Sequence, residues 1–379
     1  MNFALYMPVQ IITGENAVQN NASALALGRH ALIVTGRRSA VASGALADVT
    51  AALDGQGIAY TVFDRITENP LASTCREGGE LCRQVGADFV IGIGGGSALD
   101  AAKAIAAFAV CPDADEIGLY TAEIPASGML PIAAVPTTAG TGSEANPYAI
   151  LTLPGGAKKK TFKHIPGSYP KVAFVDPRYT YSLGENYTVS TALDALAHAM
   201  ESYLSPKSDD ISEMMALYAA RHIWDVLFCG ADGEGQRDAG GFTPVQRHRL
   251  SLAACAAGIA INKTGTGFPH PLGYSITLSE GVPHGCACGA FAGAYIRCNL
   301  RTELGAFRLN RFAAFLETTP EEMARRIPEK ANVKLTLSRE QIEEHIDRVA
   351  GAGNYANSPY VISREEMTEI YVSLFGERE

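Results

Sequence analysis

Apolar positions recur with two different periods along this chain, and the pattern changes near its middle. In the first half, short unbroken apolar runs punctuate longer stretches with helical spacing. Residues 31–35 (ALIVT) run apolar and stop at Gly36; 59–63 (AYTVF), 88–93 (DFVIGI) and 131–135 (PIAAV) repeat that signal. Each reads as a strand buried on both faces. Between them, 39–53, 71–85 and 98–109 carry apolar residues at helical spacing. Strands joined by helices of this length imply right-handed crossovers and a parallel sheet covered on both sides.

Beyond about residue 187 the strand signals nearly vanish. Residues 188–204, 211–228, 244–261, 286–301, 304–316, 320–327, 339–350 and 364–375 all read as helices, with an exposed Gly/Asp-rich loop at 231–241. The shift predicts an α/β domain over 1–182 and an all-helical domain over 183–379. No internal repeat or low-complexity tail interrupts either half.

Within the helical half, TVSTALDALAHAMESY (188–203) sets Asp194 and His198 four residues apart, on one helix face. Glu201 continues that stripe. Leu193, Leu196, Met200 and Tyr203 form a separate apolar face. Such a helix is a reasonable metal wall, but a lone D-x-x-x-H reads better as an acid followed by a core histidine.

Two loops of the first half carry clearer chemistry. GGGSALDAAK (94–103) follows a strand and opens a helix, where glycines let backbone N–H groups approach a phosphate and the helix end adds positive potential. Ser97 is a candidate cap or phosphate donor, and Asp100 is expected in the first turn, orienting the loop. PTTAGTGSE (136–144) follows the fourth strand with three threonines, a serine and two glycines. Open parallel sheets bind ligands at that carboxyl edge, so the two loops together point to one dinucleotide or sugar-phosphate crevice. The G-x-G-x-x-G fingerprint is absent, which argues against a standard Rossmann assignment.

Composition narrows the class. A chain of 379 residues with 47% apolar content can bury a large core without disulfides. A net charge of −9 argues against nucleic acid or an anionic membrane as the main partner. The eight cysteines form no C-x-x-C pair, the N-terminus lacks a basic, apolar leader, and no run approaches a membrane span. A cytoplasmic location is expected.

GGGSALDAAKAIA, PTTAGTGSEA, LDALAHAMESY and HPLGYSITLSEGVPHG occur in this order. Together with FVDPRYTYSL at the junction, they resemble the iron-containing (group III) alcohol dehydrogenases. That family includes lactaldehyde/propanediol oxidoreductases and butanol dehydrogenases, and is related to glycerol dehydrogenase and dehydroquinate synthase. The resemblance implies a dehydroquinate synthase-like fold, a helical domain holding Fe(II) or a similar ion (Zn, Mn or Co), and a homodimer or higher homo-oligomer. Its metal positions fall on Asp194, His198, His270 and His284, the last two fourteen residues apart. Its cofactor positions fall on Gly95, Gly96 and Ser97 for the pyrophosphate, on Thr137, Thr138 and Thr141 beside the nicotinamide, on Asn69 near the adenine ribose, and on Lys160. Lys158, Lys159 and Lys160 are adjacent, so that last register is open. The implied reaction is hydride transfer between NAD or NADP and a small alcohol or aldehyde.

Three positions depart from the family pattern. Gly36, Arg37 and Arg38 stand where NAD-using members often carry an aspartate, which favours acceptance of the 2′-phosphate of NADP(H). Tyr274 replaces a histidine suspected of proton handling, and reads equally as a proton relay or as packing. Cys288 stands where asparagine is common; with four ligands already assigned, oxidation sensitivity is the more modest reading. Asn146, Tyr148, Ile150, Phe162 and Phe268 are candidate pocket walls. The alternative function is a dehydroquinate synthase-like lyase acting on a sugar phosphate. It needs a dense Lys/Arg/His set, which the mostly apolar LDALAHAMESY disfavours.

Overall fold

The computed structural model describes residues 5–155 and 158–377. The chain divides into two compact units, one of Tyr6–Gly184 with Glu234–Cys255, the other of Glu185–Gly233 and the chain from Ala256 onward. Residues 234–255 join the first unit through Arg247. This buried guanidinium pairs with Asp238 Oδ2 at 2.5 Å and donates to the Leu183 carbonyl at 2.8 Å.

The four strands expected from the apolar runs form at β2 (His30–Gly36), β3 (Ala59–Ile66), β4 (Phe89–Gly94) and β5 (Ile132–Pro136). Two short strands that the pattern does not announce, β1 (Gln10–Thr13) and β8 (Val172–Val175), complete a parallel six-stranded sheet of order β1-β8-β5-β4-β2-β3. An antiparallel pair, β6 (Ala149–Thr152) with β7 (Lys159–Phe162), lies outside it. The side-chain period of two divides each apolar run between two cores. Leu32, Val34 and Val90 pack with Ile105 and Phe108, whereas Ala31, Ile33, Phe89, Ile91 and Ile93 pack with Val49 and Leu53. The helix expected over 39–53 is broken at Gly44, whose φ of +81° interrupts it between Ser39–Ala42 and Ala45–Asp54.

In the second unit, 16 of the 20 residues of the Glu185–Leu204 helix are buried, so it is a central helix packed on all sides. The Pro269–Glu280 helix has no counterpart among the expected helices, and the next helix starts at His284, two residues before the expected position. PHPLGYSITLSE carries too few periodic apolar positions to be distinguished from a loop. The His284–Asn299 helix approaches the central helix through Gly285, where any Cβ would collide with the Ser190 carbonyl oxygen. Among the described residues, no helix is long and apolar enough to cross a membrane.

Candidate metal and dinucleotide sites

From β2 the chain passes to β3 on one side and then to β4 on the other, so the sheet's topological switch point lies at the carboxyl ends of β2 and β4. Gly36 ends β2 and Gly94 ends β4, the latter with φ of +150°. The backbone then enters the Gly96–Val110 helix. The threonine loop closes on this turn. The Thr137 N–H donates to the Gly94 carbonyl at 2.9 Å, and a Cβ on Gly95 would meet Thr138 Cγ2 at 3.1 Å. A Cβ on Gly96 would meet Thr141 Cγ2 at 2.6 Å. Gly95, Gly96, Thr137, Thr138 and Thr141 therefore form one surface, beside Ser97. The Thr137 hydroxyl is buried there without a hydrogen-bond partner, as expected for a group that meets a ligand.

Asp100 has a different place from the one expected. The helix begins at Gly96, which sets Asp100 in its second turn, where it is buried. Its Oδ1 accepts from Ser143 Oγ at 2.6 Å and its Oδ2 from the Ile150 N–H at 2.8 Å. Lys103, fully buried, donates to the Ser143 carbonyl, Ser143 Oγ and the Tyr148 carbonyl at 2.6–2.7 Å. Burial pushes the lysine's pKa down to about 8, against Asp100 and Glu144, which raise it. This polar knot ties the glycine-loop helix to the end of the threonine loop and to β6. It positions those loops.

The remaining cofactor candidates are more dispersed. Asn69 adopts φ of +54°, and its carbonyl accepts from Thr152 Oγ1 at 3.1 Å. Arg37 and Arg38 are exposed just after β2. Lys160 is exposed on β7 with Nζ 4.2 Å from the Tyr120 ring centroid. Its neighbour Lys159 is the lysine that acts electrostatically on Asp100, so the strand's alternation separates the two side chains. Of the proposed pocket walls, Phe162 packs in the sheet core beside Tyr120, and Phe268 is buried edge-on to Tyr295. Both are core residues. Asn146 caps its own loop, donating to the Gly142 carbonyl at 2.9 Å and accepting from the Tyr148 N–H at 3.0 Å.

The histidines of the second unit converge on one carboxylate. His270 Nε2, His284 Nε2 and His198 Nε2 lie 3.4, 3.6 and 3.9 Å from Asp194 Oδ1. The His198 and His270 rings stack at 4.4 Å. Three helices build the cluster: Glu185–Leu204 supplies Asp194 and His198, Pro269–Glu280 supplies His270, and His284 opens the third. Asp194 Oδ1 and His270 Nε2 are buried and make no hydrogen bond. Ligands at about 2.0–2.2 Å around a tetrahedral ion are separated from one another by about 3.3–3.6 Å; the His270 and His284 spacings match this and the His198 spacing is slightly longer. The residues fit a divalent metal.

Glu201 holds this arrangement from behind. It is fully buried, accepts from the Gly267 N–H at 2.5 Å, and meets His270 Nδ1 at 2.8 Å, which leaves Nε2 to face Asp194. Burial works against charge on His270, but Glu201 and Asp194 prevail and raise its pKa to about 10. Burial likewise opposes the Asp194 carboxylate, yet His198, His284 and His270 hold its pKa well below the usual range. The site is an anionic pocket that wants positive charge. Tyr274 stacks its ring on His284 at 4.7 Å and meets His270 edge-on at 6.2 Å, a packing arrangement that orients both imidazoles.

A parallel sheet with phosphate-side loops at its switch point and a unit presenting a carboxylate among three imidazoles define a metal- and dinucleotide-dependent enzyme class. The profile of iron-containing alcohol dehydrogenase matches residues 8–177, and that of the family's C-terminal region matches 188–375. An iron-containing alcohol dehydrogenase of Thermotoga maritima superposes with a TM-score of 0.88 at 32% identity, covering 99% of both chains. The NADPH-dependent butanol dehydrogenase of Clostridium saccharobutylicum is 25% identical over 92% of each chain. Lactaldehyde reductase of Escherichia coli is 30% identical over 68% of this chain and 65% of the relative. The chain belongs to the iron-containing alcohol dehydrogenase family. It is an oxidoreductase whose cofactors are a nicotinamide dinucleotide and a metal ion, and the lyase alternative falls away.

Proposed function

We propose that this chain interconverts a small alcohol and its aldehyde by hydride exchange with NAD(P), using a metal held by Asp194, His198, His270 and His284. The observation that carries this reading is the pair of buried, unsatisfied atoms, Asp194 Oδ1 and His270 Nε2, facing each other at 3.4 Å. When bound, the metal supplies Lewis-acid polarisation of the substrate oxygen. The chain's own residues do the rest. Glu201 fixes the His270 tautomer, Tyr274 fixes the His284 ring, and Gly95, Gly96 and Ser97 receive the pyrophosphate beside Thr137, Thr138 and Thr141. Asn69 and a lysine of β7, either Lys160 or Lys159, lie on the ribose side in this reading. Asp100 acts through the Ser143 knot as a positioning residue.

Gly36 at the end of β2, followed by the exposed Arg37 and Arg38, supports acceptance of NADP(H), since cations stand where a carboxylate would repel the 2′-phosphate. KM values for both cofactors measure this directly, and a much lower KM for NAD(H) than for NADP(H) overturns it. Cytoplasmic residence and assembly as a homodimer belong to the same proposal. The scattered cysteines, which show no disulfide framework in the sequence, support the former.

The test is reconstitution of the chelated protein with Fe(II) or Zn(II), followed by NAD(P)H consumption with short aldehydes. His198→Ala should lose bound metal by elemental analysis and about a thousandfold in activity. It should still quench or enhance NAD(P)H fluorescence. Full metal content and activity in that variant refute the ligand set.

A further inference from the structure

His270 and His284 are held from behind by unlike partners. His270 Nδ1 meets both oxygens of Glu201 at 2.8 Å, and both side chains are fully buried. His284 is 24% exposed, and its Nδ1 faces the hydroxyl of Thr277 at 3.4 Å. His270, Tyr274 and Thr277 recur at helical spacing, so one face of the Pro269–Glu280 helix carries all three. Gly281, with φ of +68°, ends that helix, and His284 opens the next. Gly273 lets the two helices close, since a Cβ there would come within 3.0 Å of Cys288 Sγ. Tyr274 stacks on the His284 ring with planes 15° apart, and the Cys288 sulfur lies beside it, 3.6 Å from Nε2 and 3.9 Å from Nδ1.

His284 Nε2 is turned to Asp194 Oδ1 at 3.6 Å. A neutral imidazole that ligates through Nε2 carries its proton on Nδ1. Nδ1 then donates, and Thr277 Oγ1 accepts. A carboxylate behind a ligating imidazole fixes its ring and raises its basicity, and a hydrogen bond to a charged acceptor is about twice as strong as one to a neutral group. His270 has the first kind of partner and His284 the second, at longer range.

We propose that Thr277 is a positioning residue for His284, and that its neutral hydroxyl, set against the Glu201 carboxylate behind His270, makes His284 the weakly held ligand whose release opens the site to metal exchange. This rests on the reading that the cluster binds a metal at all. Departure of His270 would leave the buried Glu201 carboxylate with the Gly267 N–H as its remaining donor, a costly state. Departure of His284 exposes a half-buried hydroxyl that water can satisfy.

Chelator competition on the full-length, zinc-loaded protein reads the hold on the metal. Thr277→Val keeps the side-chain shape and removes the hydroxyl. It should lose zinc about tenfold faster than the wild type, while the melting midpoint of the metal-free protein and the NAD(P)H fluorescence response stay as they were. Thr277→Ser should restore the slow rate. In the Co(II) form, ring N–H protons of the ligating histidines give shifted proton resonances. The one that moves in Thr277→Val should exchange with deuterium faster than the others in the wild type. Zinc loss at the wild-type rate in Thr277→Val overturns the proposal and leaves the metal site intact. So does fast loss in Thr277→Ser, which would assign the effect to packing, or a Co(II) spectrum in which no ring N–H signal moves. Failure of the wild-type protein to bind Zn(II) or Co(II) overturns both readings.

Discussion

The dinucleotide surface and the metal cluster are built on opposite plans. The first uses neighbours in sequence: two short loops at adjacent strand ends, whose glycines admit backbone and whose threonines pack against them. The second gathers side chains from positions 194 to 288, carried on three helices and brought together by close helix contact. Local order in the first case follows from strand termini. In the second it exists only if the helices pack correctly, so helix packing and metal geometry stand or fall together.

The largest effect should therefore come from a residue that touches no metal. Gly285→Ala places a Cβ against the Ser190 carbonyl, a backbone atom that cannot rotate away. Overpacking of this kind costs about 3 kcal/mol or more. Most metal content should be lost by elemental analysis, while NAD(P)H fluorescence changes little. Equal loss at both sites would break the distinction between them. The converse substitution is gentler. Gly96→Val drives a side chain into Thr141 and blocks the backbone approach to a phosphate. Titration should show NAD(P)H binding weakened by about a hundredfold with metal content unchanged.

The same contrast explains what could be read before the fold was known. Strands β2 to β5 and both loops were legible because apolar runs and glycine clusters are local signals. Strands β1 and β8, of four residues each, and the Pro269–Glu280 helix were not, because pairing and packing decide them. At the metal site, Asp194, His198, His270 and His284 were nameable through family resemblance, and proximity gathers them around one oxygen. Cys288, four residues after His284, sets its sulfur against that imidazole. The partner through which Asp100 orients the loop was not legible, because Ser143 lies forty-three residues away.

Two buried acids sharpen the comparison most finely. Glu144, at the end of the threonine loop, has its pKa raised by burial to about 7 from an ordinary 4.5, with its own backbone N–H and Lys103 opposing. Asp194 is equally buried, yet three imidazoles move it the other way. Glu144 thus holds a proton in the folded chain that the unfolded chain releases between pH 4.5 and 7. Its contribution to stability falls as pH rises across that window and levels off above it. Glu144→Gln removes this dependence because the amide has no charge to bury. Denaturant melts of the variant and the wild type should coincide near pH 4.5 and diverge by about 3 kcal/mol in the variant's favour by pH 8. A constant difference across that range would mean Glu144 is ionised throughout. Burial alone would then not suffice to neutralise an acid in the dinucleotide region, and Lys103 would be doing there what the histidines do for Asp194.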